Sequence, residues 1–159
     1  MKNLIVYYSY EGNTEALVNG MKDVIDADII KLEPVVEKKY KGLLKFAWGG
    51  NQVFMVKTPK LKPYKLDLKK YKNIIIGTPC WIGTFAPPIR TFLTDNKIKN
   101  KNIYLLVCNG GGVKNTFKDF EKALEGNTII SALDIVYPLK KGKEASIKTV
   151  NNWIKDNLK

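Results

Sequence analysis

Histidine is absent from the 159-residue sequence, and cysteine occurs only twice. Without histidine, catalysis by Ser-His-Asp or Cys-His groups is excluded, as are histidine-ligated zinc and haem. Cys80 and Cys108 are too far apart for a Cys-x-x-Cys motif, and two cysteines are too few for a disulfide-stapled scaffold or an iron-sulfur site. We therefore expect a reducing compartment in which both residues are buried, inert thiols.

Long hydrophobic runs are also missing. No apolar stretch approaches the ~20 residues that cross a bilayer. The first three residues lead directly into the short apolar run 4–8, without the features of a secretory signal, which predicts a cytoplasmic location. The length suits one domain, so we expect residues 1–159 to form a single unit.

Arginine is nearly absent, since Arg90 is the only one beside 26 lysines. The formal net charge is +12, and residues 38–72 hold eleven lysines against one acid, Asp67, which gives this stretch +10. Such a field attracts acidic proteins, polyanions or anionic surfaces, but lysine reads base edges poorly, so specific nucleic-acid binding is not expected. The stretch is either a docking surface or a solvated face.

Apolar runs alternate with helical patterns along the chain. Strands are predicted at 4–8, 28–32, 74–76, 103–107 and 128–137, the third ending at Gly77. Helices are predicted from Asn13, from Pro87, after Gly112, and over the closing segment that reaches Lys159. This order predicts an α/β domain with a doubly wound parallel sheet and helices on both faces.

The connection at 33–72 breaks this regular pattern. It is rich in lysine and contains Gly42, Gly49, Gly50, Pro59 and Pro63, so an irregular connection is expected. Apolar residues at 43–48 predict one short helix that ends at the glycine pair.

A polar turn follows the first strand, from Ser9 to Thr14. Backbone N–H groups at a helix N-terminus, together with the Ser9 and Thr14 hydroxyls, can hold a phosphate without any cation. The same residues would also suit an ordinary capped turn, and both interpretations stay open. Neither Gly-x-Gly-x-x-Gly nor Gly-Lys-Ser/Thr occurs, which disfavours a bare dinucleotide or nucleoside triphosphate site.

Two more loops are expected at the same edge of the sheet, where ligands of open α/β folds bind. Residues 77–88 supply aromatic side chains that could cover a flat ring, and residues 108–112 expose backbone that could contact its edge. A mononucleotide with a planar head would span these loops. Trp81 and Phe85 would equally suit packing at the edge of the core.

These motifs resemble the flavodoxin family in its short form. The resemblance rests on Ser-x-x-Gly-Asn-Thr at 9–14, Gly-Thr-Pro-x-Trp-x-Gly at 77–83 and the glycines at 110–112, and it covers essentially the whole chain. It implies a five-stranded sheet of order 2-1-3-4-5 that binds FMN non-covalently. The residues that it assigns are Ser9, Tyr10, Glu11, Gly12, Asn13 and Thr14 around the phosphate, Thr78, Pro79, Cys80, Trp81, Ile82, Gly83 and Thr84 on one side of the ring, and Asn109, Gly110 and Gly111 at its other edge.

The function that the resemblance implies is low-potential transfer of single electrons between redox protein partners, by a monomer without catalytic side chains or metal. The alternative is an NAD(P)H-dependent FMN oxidoreductase of the quinone-reductase type, and a third possibility is a basic, flavin-free interaction module. Carriers of the family are typically acidic, whereas this chain is basic, so partners with acidic docking surfaces are expected. The second ring loop also lacks the aromatic residue that many carriers have there.

Overall fold

The computed structural model describes residues 2–38, 40 and 43–158. Lys39 and Lys41 of the lysine-rich stretch, Gly42 of the irregular connection and the charged end at Lys159 lie outside the described residues. All site residues predicted from the sequence lie within them.

Strands and helices alternate as the sequence predicts. The strands are β1 (Lys2–Tyr7), β2 (Ala27–Lys31), β3 (Tyr71–Trp81), β4 (Thr84–Phe85), β5 (Asn102–Asn109) and β6 (Thr128–Val136). The helices are α1 (Asn13–Met21), α2 (Leu43–Phe54), α3 (Pro87–Asp95), α4 (Thr116–Ala123), α5 (Pro138–Lys141) and α6 (Lys143–Asn157). A turn of 3₁₀ helix at Leu68–Lys70 precedes β3.

The parallel sheet has the order β2-β1-β3-β5-β6, and β4 pairs antiparallel with the end of β3. When β4 is left out, β5 and β6 are the fourth and fifth strands, and the order becomes the predicted 2-1-3-4-5. The fold prediction is therefore confirmed. Alternate residues of β1 point to opposite faces, Leu4 and Val6 to one and Ile5 and Tyr7 to the other. Side chains of α3 and α4 cover the first face, and those of α1 and α6 cover the second.

The predicted end of the third strand at Gly77 is wrong. β3 continues to Trp81 because Pro79 still pairs with Cys108 of β5, and Trp81 then pairs with Thr84 of β4. The first part of the loop predicted at residues 77–88 is therefore a β3–β4 hairpin that extends the sheet.

The predicted end of the short helix at Gly49 and Gly50 is also wrong, because α2 continues to Phe54. A Cβ built on Gly49 would lie 3.6 Å from Trp81 Cε3, and one built on Gly50 would lie 3.1 Å from Ile82 Cδ1. The glycines thus let the helix rest directly on the β3–β4 hairpin. Tertiary contact outweighs the low helix propensity of glycine here.

Among the described residues, no helix has the length and apolar character needed to cross a membrane.

Candidate cofactor-binding site

A cavity of about 530 Å³ opens at the carboxyl ends of β1, β3, β5 and β6. Its volume lies within the range of roughly 300–1,000 Å³ that is common for small-molecule sites. Eleven of the sixteen predicted site residues line it: Ser9, Tyr10, Glu11, Asn13, Thr14, Pro79, Cys80, Trp81, Ile82, Asn109 and Gly110. The topology therefore brings the three predicted loops together around one space.

The turn after β1 carries two buried hydroxyl groups without a partner. Ser9 is 9% exposed and Thr14 is 1% exposed, and neither Ser9 Oγ nor Thr14 Oγ1 finds a hydrogen-bond partner among the residues that the structure describes. Gly12, with φ of +87°, turns the chain into α1, and no side chain caps the helix. Burying unpaired hydroxyls costs free energy, so this end of the cavity suits a ligand that accepts hydrogen bonds from them.

Helix α2 forms one wall of the cavity through Lys45, Gly49 and Gly50. Lys45 Nζ lies 2.6 Å from Glu11 Oε1. This ion pair connects the helix to the polar turn at residues 9–14, which is called the phosphate loop below after its predicted role. The sequence predicted a short helix here, but it predicted neither the place of that helix on the cavity wall nor the contact of Lys45 with Glu11.

An aromatic cluster of Tyr8, Tyr10, Tyr40, Trp48 and Trp81 joins the same elements. Tyr10 stacks on Trp48 with ring centroids 5.6 Å apart, and Trp81 meets both rings edge to face. Such geometries are the favoured ones for aromatic pairs. The cluster holds the phosphate loop, α2 and the β3–β4 hairpin as one assembly.

The turn of the β3–β4 hairpin is strained at Ile82. Ile82 has φ of +50° and Gly83 has φ of +81°, and positive φ is rare for a β-branched residue. The Ile82 side chain is 68% exposed at the cavity rim. The carbonyl of Gly83 accepts a hydrogen bond from the Asn115 N–H at 3.0 Å, which fixes the far side of this turn.

Five predicted site residues do not line the cavity: Gly12, Thr78, Gly83, Thr84 and Gly111. Thr78 is fully buried, and its hydroxyl accepts from the Ala86 N–H and donates to the Pro79 carbonyl. Thr84 is used in the pairing of β4 with Trp81. These five residues belong to the three loops but do not face the cavity.

The two cysteines lie on adjacent strands and both line the cavity as free thiols. Cys108 is buried, and burial raises the pKa of its thiol to about 11, outweighing the opposing effect of the Thr14 hydroxyl, which lies near the sulfur but outside hydrogen-bond geometry. The prediction that both cysteines are buried is wrong for Cys80, which is half-buried at the cavity, where its sulfur accepts a hydrogen bond from Thr116 Oγ1 at 3.3 Å. At neutral pH Cys108 is therefore a neutral thiol with little nucleophilic character.

Asn109 organises the loop after β5. Its Oδ1 accepts from the N–H groups of Gly111 at 3.1 Å and Gly112 at 2.8 Å, while its Nδ2 donates to Asp134 Oδ2 at 2.9 Å. Both ends of the side chain are thus used inside the protein, and the backbone of the loop is left to line the cavity.

The segment after β6 supplies four lining residues that the sequence did not predict: Tyr137, Pro138, Leu139 and Lys140. The Leu139 N–H donates to Asn13 Oδ1 at 3.3 Å, so this segment reaches back to the phosphate loop. The Tyr137-Pro138 pair marks the start of a helix turn, which is the one local signal that could have indicated a change of direction here.

Among the described residues, no group of three or more His, Cys, Asp or Glu side chains is placed so that it could hold a metal ion.

Comparison with known proteins places this architecture among flavoproteins. The sequence model of a family described as Flavodoxin matches residues 2–156. A flavoprotein from Lactobacillus acidophilus, crystallised in complex with FMN, is similar at 23% identity and a TM-score of 0.70, over 88% of this chain and 97% of that one.

Two more solved structures share the fold across nearly the whole chain. Flavodoxin from Megasphaera elsdenii is 17% identical with a TM-score of 0.55, over 94% of this chain and 98% of that one. Azoreductase from Bacillus anthracis is 14% identical with a TM-score of 0.58, over 98% of this chain and 100% of that one. These likenesses concern the fold, which carriers and enzymes have in common.

Proposed function

Since the chain belongs to the flavodoxin family, we propose that it forms one FMN-binding unit, works as a monomer and carries electrons between redox partners. The observation that carries the proposal is the pair of buried, unpartnered hydroxyls of Ser9 and Thr14 at the N-terminus of α1. A phosphate monoester supplies the acceptors that these donors lack.

The residues around the cavity fit FMN in both parts. Ser9 Oγ, Thr14 Oγ1 and the first N–H groups of α1 would hold the phosphate, and the helix dipole favours its charge. Trp81 and the backbone at Gly110 would contact the ring. Bound FMN would supply the electron chemistry, while the protein orients the ring and keeps water from it.

Charge around the proposed site differs from that of an acidic carrier. Glu11 is paired with Lys45, so the excess positive charge on the cavity wall comes from Lys140. A fixed positive charge stabilises negative charge gained on reduction. We therefore expect a less negative potential than a flavin site lined by carboxylates would have.

The lysine-rich stretch supports docking of acidic redox partners. It includes α2, which lines the cavity, and continues through Lys57, Lys60 and Lys62, whose side chains are exposed. Positive charge next to a redox site steers negatively charged partners toward it.

A second candidate is an oxidoreductase with a small acceptor. The observation in its favour is the coverage of the β3–β4 hairpin by α2, where Gly49 lies against Trp81. A helix at this place leaves less room for a protein partner and suits a flat, small substrate better.

Titration of the purified protein with FMN, followed by stepwise reduction with dithionite under argon, tests the proposal. An electron carrier is expected to bind FMN and to pass through a one-electron stage that absorbs at long wavelength. Direct two-electron reduction would favour the oxidoreductase, and absence of FMN binding would overturn both.

The docking surface can be tested with inorganic oxidants. We expect Lys57→Glu/Lys60→Glu/Lys62→Glu to slow oxidation of the reduced protein by anionic ferricyanide at low salt, but not by cationic hexaamminecobalt(III). The matched control reverses Lys122, Lys148 and Lys155, which are exposed and do not line the cavity. Equal ferricyanide rates in the two triple variants would show that the stretch is only a solvated face.

A further inference from the structure

Tyr137, the residue between β6 and α5, has an unusual backbone conformation. Its φ of +46° and ψ of +57° lie in the left-handed region, which tyrosine seldom adopts. The surroundings impose this conformation, since its N–H donates to the Asn109 carbonyl at 2.9 Å and its carbonyl accepts from the N–H groups of Lys140 and Lys141. Strain of this kind is retained where the structure around it fixes a residue, and it concentrates at functional sites.

The Tyr137 side chain reaches across the loop after β5. A Cβ built on Gly110 would lie 2.7 Å from Tyr137 Oη and 3.0 Å from its Cζ, so a larger residue at this position would displace the phenol ring. The ring lines the cavity and remains 39% exposed, and Lys140 Nζ lies 5.4 Å from its centroid. A large apolar surface is therefore displayed at the cavity instead of being packed in the core.

Tyr137 and Trp81 approach the cavity from opposite faces of the sheet. Trp81 packs against the core on the side of α3 and α4. Helix α5, which begins immediately after Tyr137, contacts α1 and α6 on the other side. The strand between them, β5, is followed by Gly110, Gly111 and Gly112, which provide no aromatic side chain.

We propose that Tyr137 is a positioning residue for the flavin, with its ring stacking on the side of the isoalloxazine opposite Trp81. The proposal rests on the proposed function, since it requires FMN in this cavity. Aromatic side chains on both sides of a planar heteroaromatic ring add dispersion and quadrupole contacts and exclude water from its faces. A sequence segment outside the three predicted loops thus completes the ring site.

The test compares Tyr137→Asn with Tyr137→Phe in FMN titrations. Asparagine tolerates the left-handed conformation, so this variant removes the ring without imposing new backbone strain. We expect Tyr137→Asn to weaken FMN binding roughly tenfold, the order of aromatic stacking on a base, and Tyr137→Phe to stay within about twofold of the wild type. Tyr64→Leu, at a half-buried tyrosine outside the cavity, is the matched control.

Quenching of FMN fluorescence by acrylamide gives a second readout that a purely structural role would not change. The bound flavin is expected to become more accessible to acrylamide in Tyr137→Asn than in Tyr137→Phe. Unchanged affinity and quenching in Tyr137→Asn, with a wild type that binds FMN, would overturn the role of Tyr137 alone. A wild type that does not bind FMN would overturn the proposed function as well. If Tyr137→Asn fails to fold, Tyr137→Leu is measured in its place, with the same outcomes.

Discussion

The two edges of the parallel sheet treat their polar side chains in opposite ways. At the amino edge, Asn73 Nδ2 donates to Asn3 Oδ1 and Asn102 Nδ2 donates to Asn73 Oδ1, both at 2.9 Å. This ladder joins the starts of β1, β3 and β5, and it uses both the amide nitrogen and the amide oxygen of the central side chain. At the carboxyl edge, the hydroxyls of Ser9 and Thr14 are buried without partners among the described residues.

Backbone strain is also divided unevenly between the two edges, apart from Val56, which has φ of +49° and lies in the connection after α2. Ile82, Lys114 and Tyr137 have φ of +50°, +43° and +46°, and all three lie in loops at the carboxyl edge. On the amino side, the corresponding residue is Asn100, a type that tolerates this region. At the amino edge, polar side chains hydrogen-bond to one another and stabilise the fold. At the carboxyl edge, unpaired hydroxyls and strained backbone lower the stability of the unliganded protein, as is common at binding sites.

The largest effect is expected at the amino edge. Asn73→Ala removes the middle of the asparagine ladder and leaves polar groups of Asn3 and Asn102 without partners, so the free energy of unfolding should fall by about 3 kcal/mol. Urea denaturation of the apoprotein measures the loss. FMN affinity is expected to stay unchanged, and a parallel loss of affinity would contradict the separation of the two edges.

Thr14→Val should have effects of opposite sign on binding and stability. It removes a buried, unpartnered hydroxyl, so FMN binding is expected to weaken by about 2 kcal/mol while the apoprotein gains up to about 1 kcal/mol. Fluorescence titration and urea denaturation measure the two quantities.

The matched control for this variant is Thr91→Val. Thr91 is also buried, but its hydroxyl donates to the Pro59 carbonyl at 2.9 Å. This control should lose about 1 kcal/mol of stability without affecting FMN binding. Destabilisation of the apoprotein by Thr14→Val would mean that its hydroxyl has a partner after all.

Ile82→Asn tests the strain at the carboxyl edge. Two successive residues with positive φ suit Asn-Gly, so this variant should raise the free energy of unfolding by about 1 kcal/mol. Val36→Asn, at an exposed residue outside the left-handed region, should be nearly neutral. A less stable Ile82→Asn variant would show that packing of Ile82 against α2 outweighs the strain.

Glu15 gives the smallest expected effect and depends on pH. Its carboxylate accepts hydrogen bonds from Lys31 at 2.7 Å and from the Tyr7 hydroxyl at 3.1 Å, and Lys31 above all holds its pKa below the usual value. A lowered pKa in the folded state adds stability at neutral pH, and this is lost as the pH falls through that pKa.

Solvent screening limits the contribution of Glu15 to about 0.5 kcal/mol, since the side chain is 35% exposed. Glu15→Gln should therefore be less stable than the wild type at pH ~7, with the difference shrinking at pH ~3. The midpoints of urea denaturation across that pH range measure this difference in stability. Glu121→Gln, at an exposed residue of α4, is the matched control. A difference independent of pH would exclude the carboxylate charge as its cause.

Local patterns predicted most of the sheet and the place of the three loops. Alternation of apolar runs and helical segments sets the parallel order, and that order brings Ser9, Trp81 and Gly110 to one cavity. These are consequences of sequence periodicity and of the geometry of parallel sheets.

The parts that could not be predicted depend on contacts between distant residues. Helix α2 continues past Gly49, which lies against Trp81, a residue 32 positions further along the chain. The cavity also receives Lys45 and Lys140 from segments whose composition gives no sign of a site. Tyr137 adopts its conformation through a hydrogen bond to Asn109, and no local pattern indicates it.

The segment at residues 137–140, whose Leu139 N–H donates to Asn13 Oδ1, is the last part of the cavity wall to be synthesised. Residues 137–140 leave the ribosome after every other residue that lines the cavity. A nascent chain that stops before Tyr137 would present the phosphate loop and the β3–β4 hairpin, but its cavity would be open along one side. Cofactor loading should therefore follow translation of this segment, and a stalled or truncated product should not sequester FMN from the complete protein.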